Sequence, residues 1–325
     1  MVPLYPWRND DIRRIARESS ERCCMRHELV ICTRNRADDL RQCLESVAAQ
    51  SNPPCRVVIV DSSDGDSAER VAEEVAGRGS LVIKFVHTAP GLTLQRNAAL
   101  ALIEESTDVI HFVDDDMVLD RDYLRLILSA FREHPNCGGV GGRISNLPKR
   151  RAKGIVRWFR YAFLLDSPRP GVLLPSGVGV ICRTGDQPRP VDWLSGGSMS
   201  YRRRCIAGLR FDESRSGYGM GEDVDFSARV AGRAPLVWTP LAVIEHRYPF
   251  NHGDNIQLRR RAVRSRWQLA KHGVGSVIRA AVVYAVIGDA LMLLAMAGVF
   301  RSRHHARQAC ATLVGLVDVI KGLPV

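Results

Sequence analysis

From Glu28 onward the chain alternates short β-branched runs with stretches whose apolar residues recur at helical spacing, and this alternation restricts its fold more than any other feature. Leu29 to Cys32, Val57 to Val60, Leu81 to Val86 and Val109 to Val113 read as buried strands. Between them Asp38 to Ala49, Ser67 to Ala76 and Leu94 to Glu105 read as helices, each with a polar residue able to cap its start. Strand and helix in strict alternation imply an α/β fold with a doubly wound, mainly parallel sheet, because parallel neighbours need a crossover and a helix provides it. Ligands of such sheets bind beyond the carboxyl ends of the strands, so the loops that follow them are the places to look for chemistry.

Those loops are polar. They read Thr33-Arg34-Asn35-Arg36, then Asp61-Ser62-Ser63-Asp64-Gly65, then Thr88-Ala89-Pro90-Gly91, then Asp114-Asp115-Asp116. The last is the strongest signal, since the buried run His111-Phe112-Val113 delivers three carboxylates into one turn. Carboxylates this close repel one another and lose hydration, whereas Mg²⁺ or Mn²⁺ takes a few hard oxygen ligands and keeps positions open for phosphate. The plain alternative is an Asp-rich turn that caps the next helix.

A second acidic run, Gly221-Glu222-Asp223-Val224-Asp225, follows Ser216-Gly217-Tyr218-Gly219 and opens a helix at Glu222. One of its carboxylates suits a general base, while acidic residues in a first helical turn also simply complement the helix dipole. Arg96-Asn97, at the start of a helix, and Asp61, at the end of the second strand, suit a diphosphate and a ribose or base respectively. His246 ends a strand read over Leu236 to His246 and is either a metal ligand or a structural histidine. Gly138 to Pro190 is rich in Gly, Pro and Arg and reads as loops and short strands; order returns at Val191 to Tyr201.

Taken in order, Thr33-Arg34-Asn35-Arg36, Asp61, Arg96-Asn97, Asp114-Asp115-Asp116, Ser195-Gly196-Gly197, Glu222-Asp223 and His246 resemble family 2 of the glycosyltransferases, which has the GT-A fold; the likeness runs from about residue 28 to 250. The resemblance implies single displacement at a sugar's anomeric carbon with inversion, a nucleoside-diphosphate sugar as donor, and Mg²⁺ or Mn²⁺ as cofactor. It implies that Asp223, or else Glu222, takes the acceptor proton, that Asp116 reaches the metal with His246, and that Asp114 faces the ribose. Thr33, Asp61, Arg96 and Asp115 would complete the nucleotide and donor site, with Gly196 and Gly197 lining the donor sugar and acceptor side. The chain lacks the Gln-x-x-Arg-Trp pattern of processive synthases in this family; its nearest analogue is Arg264-Ser265-Arg266-Trp267, which favours transfer of one hexosyl or deoxyhexosyl unit.

Composition bounds the rest. With 46% hydrophobic and 25% charged residues over 325 positions, the chain can bury a large core, which excludes a disordered or collagenous protein. Nine cysteines include the adjacent Cys23 and Cys24 but no CxxC unit, so reduced thiols are expected in place of a zinc site or disulfide framework. The first 25 residues, interrupted by Arg8, Asp10, Asp11, Arg13, Arg14 and Arg17, lack the apolar core of a signal peptide, which predicts a cytoplasmic location.

A formal charge of +11 favours anionic partners, and Gln257 to Lys271 carries six Arg and Lys residues just before an apolar stretch, Ala280 to Phe300, whose one acid is Asp289. A basic run beside an apolar helix marks the cytoplasmic side of a membrane, and this predicts attachment there with a glycan or lipid-linked acceptor and no specific nucleic acid. The stretch is long enough to span a bilayer, or else packs on the domain or in a dimer interface. Ala309 to Ile320 is too short to span alone and suits an interface. Three segments follow: an extension over 1–27, a GT-A domain over 28–255, and a helical, membrane-associated region over 256–325. Competing readings are a sugar-nucleotide-binding subunit without activity and a basic nucleic-acid-binding protein.

Overall fold

The computed structural model describes residues 25–147, 153–215, 219–247 and 256–322. The expectations for the first 24 residues, for the Cys23 and Cys24 pair and for Ser216 to Tyr218 lie outside the described residues. The alternation read from the sequence is present: β1 (His27–Thr33), α1 (Ala37–Ala48), β2 (Arg56–Asp61), α2 (Ser67–Gly77), β3 (Ile83–His87), α3 (Leu92–Leu102) and β4 (Val109–Asp114). Their strands pair in parallel in the order β3, β2, β1, β4, and the register sets Thr33 opposite Asp61 and Cys32 opposite Asp114. Three strand ends therefore deliver polar side chains to one edge.

Alternation along β1 explains the layering. Leu29 and Ile31 point to a core shared with Leu40 and Leu44 of α1 and Val71 and Val75 of α2, while Val30 points to the opposite core with Val58, Val60 and Phe112. Each such side chain contributes about 1.5–3 kcal/mol when fully buried. β1 and β2 are apolar on both faces because helices cover both.

Beyond β4 come β5 (Met117–Leu119), α4 (Tyr123–Glu133), β6 (Gly139–Ile144), α5 (Gly154–Ala162), β7 (Arg189–Val191), β8 (Met199–Arg202), the short α6 (Arg203–Ile206), α7 (Glu222–Ala231) and β9 (Leu236–His246). The sheet continues from β4 through β8, β6 and β9 to β5; β8 is antiparallel to both β4 and β6, and β7 joins β9. The reading of Gly138 to Pro190 as loops and short strands agrees with β6 and β7 and misses the helix α5. β6 is an interior strand between β8 and β9. Its glycines are packing residues, since a Cβ at Gly139 would lie 2.7 Å from the Tyr201 ring and one at Gly142 would lie 2.5 Å from Tyr123. Glycine in a strand normally signals a break, and here it admits two neighbouring aromatic rings.

The chain ends in three helices packed on one another, α8 (Ile256–Lys271), α9 (Arg279–Val299) and α10 (Arg303–Lys321). Val263, Leu269, Val282, Val286 and Leu316 from these helices share a core with Val224 and Ala228 of α7. Asp289, the lone acid of α9, meets Arg259 of α8 at 2.9 Å, and Asp318 of α10 accepts from Arg260 Nε at 3.0 Å. Two arginines of the basic run are thus neutralised within the protein. α9 is long and apolar enough to cross a membrane by length and composition, with a mean hydropathy of 2.1, yet one face packs on its neighbours while Tyr284, Ile287, Leu291 and Leu294 stay exposed along the other.

Candidate active site

The acidic turn after β4 is built into the sheet edge by partners on β1 and its loop. Thr33 donates its hydroxyl to Asp115 Oδ2 at 2.7 Å, and Arg36 Nη1 donates to Asp115 Oδ1 at 3.3 Å and to Asp116 Oδ2 at 2.9 Å. Asn35, in left-handed backbone with φ 55°, bridges to Ser63 and Asp64 of the β2 loop and orients this segment. Burial pushes the Asp115 carboxyl up to about 7 against the pull of Thr33 and Arg36. For Asp116 burial acts upward as well, but the His246 hydrogen bond and the charges of His246 and Arg36 outweigh it and hold the carboxyl below its ordinary value.

Asp116 and His246 arrive from different elements. β9 runs antiparallel to β5 with His246 opposite Met117, which brings His246 Nε2 to 3.4 Å from Asp116 Oδ2. Asp116 Oδ1 is buried and has no hydrogen-bond partner among the described residues, a condition that costs about 1–3 kcal/mol unless something else satisfies it. Among the described residues no group of three or more His, Cys, Asp or Glu side chains is arranged to enclose a metal. The carboxylate and imidazole nonetheless fit Mg²⁺ or Mn²⁺, because such ions at phosphate sites take one or two protein ligands and draw the rest from phosphate and water.

Across the site, the turn at Gly196–Ser198 links the acidic turn to α7. Gly196 donates its backbone N–H to Asp223 Oδ2 at 3.0 Å. A Cβ at Gly196 would lie 3.1 Å from Glu222 Oε1, and one at Gly197 would lie 2.2 Å from Met117 Cε and 3.0 Å from Asp114 Oδ2. Both glycines therefore admit site side chains that any larger residue would displace.

Arg96 occupies the centre of this arrangement. It is buried, donates Nη2 to Asp114 Oδ1 at 3.1 Å and to the Gly196 carbonyl at 3.2 Å, and forms a close pair with Glu222 through Nη1. Its guanidinium also lies 5.4 Å from the Phe211 ring centroid. Asp61 is likewise engaged, with Oδ1 accepting from Ser63 N at 3.0 Å and Oδ2 lying 3.2 Å from His87 Nδ1. Asn97 serves structure: it donates to Phe211 O and accepts from Phe211 N, which ties α3 to the segment before α7.

The acids of α7 differ in their partners. Glu222 is held by Arg96, and Asp225 by Arg229 at 2.6 Å with Arg215 at 3.7 Å. Asp223 forms no ion pair among the described residues; it accepts only backbone N–H groups, from Gly196 and from Val224. Burial raises the Asp223 carboxyl, and burial with the neighbouring Asp223 charge raises Glu222 against the pull of Arg96. A half-buried carboxylate with raised affinity for a proton, outside any ion pair among the described residues and drawn by Arg96 only at longer range, is suited to accept one.

Several contributors escaped the sequence reading as individual site residues. Arg36 lies inside the Thr33 motif but did not stand out from its neighbours. Gln95 donates to the carbonyls of Thr33 and Val60 at 2.9 and 2.8 Å and clamps the ends of β1 and β2. Arg215 is buried and donates to the Met220 carbonyl and the Ser265 hydroxyl, each at 3.1 Å, which fixes the approach to α7 against α8. No periodicity marks either residue, because each acts through one long side chain across the fold.

Residues 28–182 match the model of glycosyl transferase family 2. A glucosyl-dolichyl phosphate glucuronosyltransferase of Haloferax volcanii is 25% identical over 122 residues, which are 37% of this chain and 38% of that protein, so the match spans well under half of the relative. The fold resembles a mannosyltransferase from Pyrobaculum calidifontis in complex with GDP-Man and Mn²⁺, with TM-score 0.59 and 16% identity over 95% of this chain and 92% of that one. It also resembles S. aureus TarS, with TM-score 0.51 and 15% identity over 88% of this chain and 55% of the other. At these identities the structural likeness establishes the GT-A fold.

Proposed function

We propose that this chain, a member of glycosyl transferase family 2 with the GT-A fold, is an inverting transferase that moves a hexosyl unit from a nucleoside-diphosphate sugar to a hydroxyl of a lipid-linked glycan. The observation that carries this reading is the pairing of two unlike acidic centres across Gly196: Asp116 with an orphaned oxygen beside His246, and Asp223 outside any ion pair among the described residues. Asp116 and His246 would hold Mg²⁺ or Mn²⁺, which when bound offsets the negative charge that grows on a departing diphosphate. Thr33 and Asp115 shape the floor of the nucleotide site, with Asp61 at its far edge. Arg96 binds Asp114 and Glu222 together and so fixes the distance between donor and acceptor sides. Asp223 takes the proton of the attacking hydroxyl, with its orientation set by the Gly196 N–H.

The acceptor class rests on two supports: the relative from Haloferax volcanii is named for a dolichyl phosphate substrate, and this chain carries an exposed apolar surface. Trp158 and Ile155 of α5 are 67% and 84% exposed, and Phe163 just beyond α5 stacks on Tyr284 of α9 at 4.9 Å, which sets that surface beside the apolar face of α9. Attachment in the interfacial plane, on the cytoplasmic face, fits better than a crossing. A spanning α9 would carry its partner Arg259 toward the bilayer centre, at a cost of about 2.5–3.5 kcal/mol per such charge.

A thermal-shift panel tests the donor site: uridine, thymidine and guanosine diphosphates, each with and without Mn²⁺, on wild type and Asp116→Ala. Metal-dependent stabilisation by one nucleotide that disappears in the variant is the expected result. Folded wild-type protein indifferent to every nucleotide would remove the donor site and with it the transferase reading.

A further inference from the structure

A second constellation lies outside the donor site. A cavity of about 390 Å³ opens between α5, α7, α8 and α9, and three arginines reach it, Arg160 from α5 with Arg259 and Arg266 from α8. Asp289 is the one acid on its wall, and it is already engaged by Arg259 at 2.9 Å. Arg160 donates to the Leu165 carbonyl at 3.0 Å and Arg266 donates through Nε to the Ala262 carbonyl at 3.3 Å. Among the described residues neither meets a carboxylate within ion-pairing distance. Burial lowers the hold of the Arg266 guanidinium on its proton, the positive charges of Arg259 and Arg160 lower it further, and Asp289 opposes them.

Three cations gathered around one committed acid leave an excess of positive charge in a partly enclosed space, where an unmatched charge costs more than at an open surface. Guanidinium groups also match the oxygens of a phosphate in a fork geometry, and with Asp289 engaged by Arg259 that geometry is left available at Arg160 and Arg266. The packing around the cavity is close. Gly221 has φ 79° and a Cβ there would lie 2.1 Å from Ser265 Oγ, while one at Gly177 would lie 3.0 Å from Arg266 Cβ. Gly177 thus permits the close approach of Arg266, and Gly221 that of the adjacent Ser265.

Position gives the cavity its meaning. Met220, Gly221 and Val224 line it, and these residues bracket Glu222 and Asp223, so the cavity and the base share the first turn of α7. On its other side α5 and α9, which supply Arg160 and Asp289, also carry the exposed Trp158 and Tyr284. We propose that this cavity binds the phosphate that joins the lipid and sugar parts of the acceptor, with the lipid along the α5 and α9 surface and the sugar hydroxyl directed to Asp223. This deepens the transferase reading and rests on it for the acceptor's role, while the phosphate site itself is testable apart from catalysis.

The test uses the full chain and phosphatidylcholine vesicles doped with a polyprenyl monophosphate, against vesicles of equal charge doped with phosphatidylglycerol. Wild type is expected to bind the polyprenyl phosphate vesicles about tenfold more tightly, the worth of one charge-assisted hydrogen bond. Arg266→Gln and, at the cavity rim, Arg160→Gln should each lose that preference while keeping the metal-dependent stabilisation by nucleotide, which shows that the variants are folded. Equal binding to both vesicle types, or a preference that survives both substitutions, would overturn the proposal. Stabilisation by inorganic phosphate alone that depends on Arg266, without any lipid preference, would also overturn it by assigning the cavity to a soluble phosphate. Failure of the nucleotide panel in wild type would instead remove the transferase reading and leave the lipid-phosphate result standing.

Discussion

At the end of β4 and at the start of α7 the chain sets out acidic runs of similar make-up, Asp114 to Asp116 and Glu222 to Asp225, and the two differ in what surrounds them. The β4 run receives donors from three directions, Thr33 and Arg36 from the β1 side, Arg96 from α3 and His246 from β9, so its charges are shared out and one oxygen of Asp116 is left over. In the α7 run arginines neutralise Glu222 and Asp225 and pass over Asp223. On the proposed reading the same side chains would serve as a cation seat in one place and as a base in the other. What separates the roles is the set of partners, since hydrogen bonds and nearby charges decide which state of a carboxylate is favoured.

That contrast breaks most sharply at Asp223. Asp223→Asn should lower kcat by about 10²–10⁴-fold, the usual worth of a general base, with metal-dependent nucleotide binding unchanged. A fall of similar size in Glu222→Gln with intact folding would blur the distinction drawn here. Asp116→Ala tests the other centre and should abolish metal-dependent stabilisation by nucleotide, a loss of about 2.7 kcal/mol at a nucleotide concentration 100-fold above Kd. The nucleotide shift in Asp223→Asn serves as the control.

Smaller effects sharpen the picture. Gly197→Ala forces Met117 and Asp114 aside and should cost about 1–3 kcal/mol in denaturant unfolding, with a higher KM for donor. The expected pH profile follows from the raised Asp223 carboxyl: the proposed base works as its anion, so activity should be present above its pKa and lost as pH falls through it. The acid limb of kcat/KM should accordingly lie above the ordinary carboxylate range and be missing from the residual activity of Asp223→Asn. Smallest of all, Asp289→Asn removes the partner of a partly exposed Arg259 and should lower stability by about 1 kcal/mol without altering nucleotide binding.

The two halves of the sheet were not equally legible. β1 to β4 announce themselves because a parallel strand covered on both faces must be apolar at nearly every position, and Val57 to Val60 or Val109 to Val113 can hardly be read otherwise. Leu236 to His246 and the helix start at Glu222 were readable for similar reasons. β6 was readable only as an unplaced short strand, because its glycines answer to the rings of Tyr201 and Tyr123, residues far away in the chain. The apolar stretch at 280–300 was readable as a helix and ambiguous as to its surroundings, since its composition is the same whether lipid or protein covers it.

The sequence by itself determined the order of strands and helices in the amino-terminal half, the polar loops at the carboxyl ends of the strands, and which carboxylates lie there, because periodicity and residue type are local properties. Only the tertiary structure decided that Arg96 joins Asp114 to Glu222, that His246 meets Asp116, that Asp223 escapes neutralisation, and that Arg160, Arg259 and Arg266 share one cavity. Each of those facts depends on side chains brought together across long stretches of chain. An electrostatic interaction is set by distance and burial in space, and no local pattern in a sequence records either.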